Sequence, residues 1–73
     1  MWYYTVKGKT VFIVPQNGRY VIIFDNEICG SYYSPESAAD DVANFIIGNY
    51  EWDKLDGTVY VPSDLSEWTF TNR

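Results

Sequence analysis

The sequence predicts an α+β fold: a four-stranded antiparallel meander, one helix packed on one face, and an ordered aromatic C-terminal segment. Three observations predict it. Apolar runs in the first half are separated by short turn signals, as in consecutive hairpins. A segment after them carries a helix start, a helical apolar period and a helix stop. The last third holds Tyr50, Trp52, Tyr60, Trp68 and Phe70, too many aromatics for a disordered tail. At 73 residues the chain has room for one domain, 1–73, with a small core.

The turns define the strands. Asn17–Gly18 is the strongest hairpin signal, because both residue types tolerate positive φ in a type I′ turn. Gly8–Lys9 suits a two-residue turn with glycine first, and Asp25–Asn26 is a weaker candidate of the same kind. The strands then run about Trp2–Lys7, Thr10–Gln16, Arg19–Phe24 and Glu27–Tyr33. Opposed residues in an antiparallel pair share a face. One face therefore collects Trp2, Tyr4, Val6, Val11, Ile13, Pro15, Tyr20, Ile22, Phe24 and Cys29. The other collects Tyr3, Thr5, Lys7, Thr10, Phe12, Val14, Val21, Ile23, Ile28, Gly30 and Tyr32, apolar in its middle and polar toward Lys7 and Thr10. The sheet is thus apolar on both sides.

Ser34 to Gly48 reads as the helix. Ser34 caps its start, Pro35 occupies the first position, where no N–H is needed, and Gly48 marks its stop. Glu36, Asp40 and Asp41 lie in the early turns, where the helix dipole favours anions. Ala39, Val42, Ala43 and Ile46 follow the helical period, so the helix covers the wholly apolar face. Beyond it, Thr58–Val61 reads as a short fifth strand ended by Pro62, and Ser63 as the cap of a single helical turn through Leu65 and Trp68. Two covers remain open for the second face: this tail or an identical subunit. Gly30 bears on the choice, since on that face it leaves a bare patch where a ring of Trp52, Trp68 or a partner's tyrosine could lie.

Bulk properties exclude several classes of function. A chain this short buries only about 60% of its unfolded surface and needs dense packing or a partner to be stable. One cysteine, Cys29, rules out an internal disulfide, and the lack of histidine weakens any zinc site. We expect no cofactor and no metal. The N-terminus shows no signal-peptide pattern and no run is long enough to span a membrane, so a cytoplasmic location is expected. The net charge of −5 belongs to the second half: residues 1–33 carry three cations against two carboxylates, and residues 34–73 two against eight. Direct nucleic-acid binding is disfavoured, because phosphate affinity comes from clustered Lys and Arg.

Catalytic signals are equally sparse. No histidine is present for acid–base work near neutral pH, and Cys29 has no base beside it and lies on the buried face. Asp40 and Asp41 are adjacent and diverge around a helix. Glu51–Val59 has oxygen ligands but the wrong spacing for a calcium loop. Trp2, Tyr3, Tyr4, Tyr32 and Tyr33 could stack on a sugar or base, but neighbours along a strand point to opposite faces.

The run from Gly18 through Val42, with "SPESAADDV" at its end and "VPSDLSEW" about twenty residues later, resembles a group of short uncharacterised bacterial proteins of mobile genes, of the integron-cassette or phage-cargo type. Their pattern is a hairpin, a Ser-Pro-Glu-x-Ala-Ala-Asp-Asp-Val helix start and a Pro-x-Asp-Leu-x-x-Trp close. It covers most of the chain; the departure lies between Ile46 and Thr58, where the group carries a loop richer in Gly, Ser and Pro. The resemblance implies a mobile-gene origin and the same fold, and transfers no activity.

The function expected is a non-enzymatic protein–protein interaction module, its partner a second copy or a host or phage protein. The interface expected is Phe12, Val14, Val21, Ile23, Ile28 and Tyr32, buried partly in a homodimer. Two alternatives stand beside it: an aromatic small-ligand binder, and an acidic inhibitor that imitates nucleic acid through Glu36, Asp40 and Asp41.

Overall fold

The computed structural model describes residues 1–72. The fold is α+β, as expected, but the antiparallel sheet has five strands: β1 (Trp2–Val6), β2 (Lys9–Gln16), β3 (Arg19–Phe24), β4 (Glu27–Tyr32) and β5 (Thr69–Phe70), in the order β4-β3-β2-β1-β5. Helix α1 (Pro35–Ala43) and the short α2 (Tyr50–Asp53) follow the meander, and a single 3₁₀ turn at Leu65–Glu67 precedes β5.

Each hairpin turn has both central residues at positive φ: Lys7–Gly8, Asn17–Gly18 and Asp25–Asn26. That is the type I′ pattern, whose twist matches that of the flanking strands. The first turn lies one residue earlier than Gly8–Lys9. Tyr4 therefore faces Val11, where the sequence reading opposes Val6 to Val11. A two-residue change of register leaves every side chain on its expected face, although Lys7 itself moves into the turn.

The expected apolar face is the core. Val11, Ile13, Ile22 and Phe24 pack with Ala38, Ala39 and Val42 of α1, and Trp2, Tyr4, Val6, Tyr20 and Cys29 lie against them. The tail joins this same side: Trp52, Leu55, Val61 and Trp68 belong to one cluster with the strand and helix residues. Trp52 meets Phe24 edge-on at 5.2 Å and Trp68 lies 5.8 Å from Tyr4. Both buried indoles donate to carbonyls, Trp52 to Val42 at 3.1 Å and Trp68 to Pro62 at 2.8 Å. Buried N–H groups are thereby satisfied. Of the two covers considered for the second face, the tail is removed.

Helix α1 starts as expected, with Ser34 Oγ accepting from the Ser37 amide at 3.1 Å. It ends at Ala43, with Asn44 as its C-cap, well short of Gly48. Phe45 adopts φ 57°; its N–H donates to the Val42 carbonyl and that of Ile46 to the Asp41 carbonyl, at 3.2 and 3.1 Å. This is the Schellman arrangement, with phenylalanine where glycine is usual. A bulky residue there is strained by about 1 kcal/mol. The Phe45 ring, buried and stacked on Trp52 at 5.7 Å, recovers more than that through apolar burial.

Other tail expectations change too. Thr58–Val61 forms no ladder; Pro62 and the buried Val61 anchor it to the core instead. The fifth strand is Thr69–Phe70, opposite Tyr3 and Trp2 of β1. Asp64, rather than Ser63, caps the 3₁₀ turn, accepting from the Ser66 amide at 2.9 Å.

Candidate functional site

With helix and tail on one side, the opposite face of the sheet is left without a cover from the described residues. Its strand positions follow from alternation and the pairing. One row across the sheet is Thr69, Tyr3, Phe12, Ile23 and Ile28, and a second is Val14, Val21 and Ser31. Tyr3 and Phe12 lie 6.1 Å apart. Val21 is only 4% exposed, yet it lies outside the core cluster. Tyr3, Phe12, Val14 and Ile23 are partly exposed, and Ile28, at the sheet edge, is 59% exposed.

The rim of this face is polar. At one end the Thr5 and Thr10 hydroxyls bond to one another at 2.8 Å. At the other, Arg19 donates through Nε to Ser31 Oγ at 2.6 Å and through Nη2 to the Ser31 carbonyl at 2.9 Å. The same guanidinium lies 4.2 Å from the Tyr33 ring centroid, a cation–π contact on a highly exposed tyrosine. No strand position of the face carries a carboxylate, although the chain has ten.

Five of the six expected interface residues, Phe12, Val14, Val21, Ile23 and Ile28, share this face. Tyr32 does not. Ile23 opposes Ile28 while Ile22 opposes Gly30, so Cys29 is an extra residue in β4 and the strand bulges. Everything after the bulge changes face: Gly30 and Tyr32 turn toward α1. The space over Gly30 is filled by the ring of Tyr32 itself, which a β-carbon at Gly30 would meet at 2.9 Å. The Tyr32 hydroxyl donates to Asp41 Oδ2 at 2.7 Å. Burial, then the neighbouring Asp41 carboxylate, pushes this phenol well above the ordinary tyrosine range.

That bond also divides the expected acidic face. Glu36 and Asp40 lie toward solvent on α1, whereas Asp41 is half-buried against the sheet. Other carboxylates serve local structure. Asp53 accepts from the Ile47 and Gly48 amides, both at 3.0 Å, and Glu51 pairs with Lys54 at 2.8 Å. Glu27 accepts from Asn49. The amide of Ser66 holds Asp64 below the usual carboxylate range. Burial raises the Cys29 thiol, which disfavours the reactive thiolate.

An open cleft of about 380 Å³ lies between the end of α1 and the segment around Asp56–Ser63. Asp40, Asp56, Phe45 and Tyr60 are among its walls. The exposed rings of the chain are dispersed: Tyr33 is engaged by Arg19, Tyr50 lies near Lys54 and Phe70 packs edge-on against Trp2. Among the described residues no group of three or more His, Cys, Asp or Glu is gathered to hold a metal, and no helix is long and apolar enough to cross a membrane. No family model, curated protein or solved structure matches the chain.

Proposed function

We propose that the chain is a small non-enzymatic protein–protein interaction module, of the mobile-gene kind its helix-start segment resembles, and that it works through the open sheet face. The observation that carries this reading is the one-sided packing. Both the helix and the aromatic tail lie on the Ile22 side, and a contiguous apolar row from Tyr3 to Ile28 is left on the other. Soluble proteins keep contiguous apolar patches small unless they serve as contact surfaces. The rim of hydroxyls and one guanidinium around an apolar centre is the usual anatomy of such a surface.

The acidic-inhibitor reading draws less support, because Glu27, Asp41, Glu51, Asp53 and Asp64 are each held by a partner within the fold. Their directions follow local structure rather than one outward pattern. Capture on the immobilised chain tests the proposal. Ile23→Lys should abolish retention of its partners, and the pair Glu36→Gln with Asp40→Asn should leave it unchanged. The reverse outcome, loss with the helix variant and retention with Ile23→Lys, overturns the sheet-face reading in favour of the acidic one.

A further inference from the structure

We infer that the occupant of the open face is a second copy of this chain, paired face to face about a two-fold axis. The inference rests on the reading of that face as the working surface, and names its partner. Charge is the first argument. The chain carries a net −5, yet no strand position of the face is acidic. Among the described residues its one strand cation, Arg19, is already occupied by Ser31 and Tyr33. Two copies meeting here place Glu36 and Asp40 of each on the outer sides of the pair, where like charges are farthest apart and screened. A partner recognised through its own charge would find no complement on this face.

Shape is the second argument. The main row runs from aromatic to aliphatic: Tyr3 and Phe12 on β1 and β2, then Ile23 and Ile28 on β3 and β4. Consider a two-fold axis in the interface, parallel to the strands and between Phe12 and Ile23. It sets Phe12 of each copy over Ile23 of the other, and Tyr3 over Ile28. Large rings then meet smaller branched chains. Such an interface is self-complementary, as two-fold symmetry demands, and the two sheets pack in the aligned manner common to sandwiches.

Area is the third. Strands of five to eight residues, rising about 3.3 Å per residue and spaced about 4.8 Å apart, present on the order of 500 Å² per copy. Two copies bury about 1,000 Å², the size at which specific interfaces begin. The pairing is therefore expected to be reversible in the micromolar range.

Sedimentation equilibrium over a hundredfold concentration range around that value tests it. The expected result is a species of twice 8.5 kDa that dissociates on dilution. Ile28→Glu, at an exposed edge position that leaves the core untouched, should weaken the pairing at least tenfold, with near-UV circular dichroism unchanged. Adding Tyr3→Lys to it should restore pairing, because the axis brings those two positions together. A single 8.5 kDa species at every concentration overturns the inference, as does a dimer indifferent to Ile28→Glu. Neither result touches the capture of other proteins, which decides the interaction reading separately.

Discussion

Tyr32 shows how one extra residue redirects chemistry. Without the bulge at Cys29 it would belong to the open face; with it, the phenol reaches Asp41 at 2.7 Å and ties β4 to α1. The folded phenol holds its proton above the ordinary value, near 10 in an unfolded chain. From about pH 10 upward the unfolded chain ionises while the folded one does not, so stability falls as pH rises. Tyr32→Phe is expected to lower stability at pH 8 by about 1–2 kcal/mol and to flatten the decline above pH 10. Urea unfolding at pH 8, 10 and 11 checks both. An equal alkaline decline in the variant would show that the Tyr32 phenol is not its cause. The bulge had a mark in the sequence. Glycine inside a strand commonly signals a bulge or a close approach, and Gly30, read as a bare patch on the open face, directly follows the bulge and lies close under the Tyr32 ring.

At the scale of elements, the meander was legible because apolar runs of strand length are separated by residues with hairpin-turn chemistry. A turn displaced by one residue, as at Lys7–Gly8, moves the register by two and preserves the faces. The end of α1 was not legible. Gly48 looks like the stop by residue type, but Phe45 takes the left-handed position because its buried ring is held by Trp52. That is a tertiary contact which no local pattern announces. Trp52 also donates to the Val42 carbonyl inside the last turn of α1, which makes it the link between helix and tail. Trp52→Phe keeps an aromatic ring but removes one of the two bonds to the Val42 carbonyl, the Phe45 N–H keeping the other, at an expected cost of about 1 kcal/mol. Thermal unfolding measures it, and a loss below about 0.5 kcal/mol would mean the bond is replaced by water.

At the scale of the molecule, the chain builds a two-layer structure from sequence apolar enough for three. Among the described residues the covering elements go to one side, where Trp52, Leu55, Val61 and Trp68 extend the core that α1 begins. Both apolar faces could be read in the strands, but which of them the tail would cover could not. That choice depends on where α1 ends and on the indole bonds to Val42 and Pro62. Strand β3 divides a face essential to folding from one that is available for contact, and on this division the rest depends. Ile22 and Ile23 are neighbours on opposite sides of it, Ile22 fully buried and Ile23 partly exposed. Thermal unfolding of Ile22→Lys and Ile23→Lys, followed by near-UV circular dichroism, tests it most directly. Ile22→Lys is expected to show no cooperative transition, since an unpaired charge in the core costs more than a domain this small can bear. Ile23→Lys should keep the folded spectrum and a cooperative melt. Loss of the folded spectrum in both variants would show that both faces are enclosed by the chain, and would contradict the division.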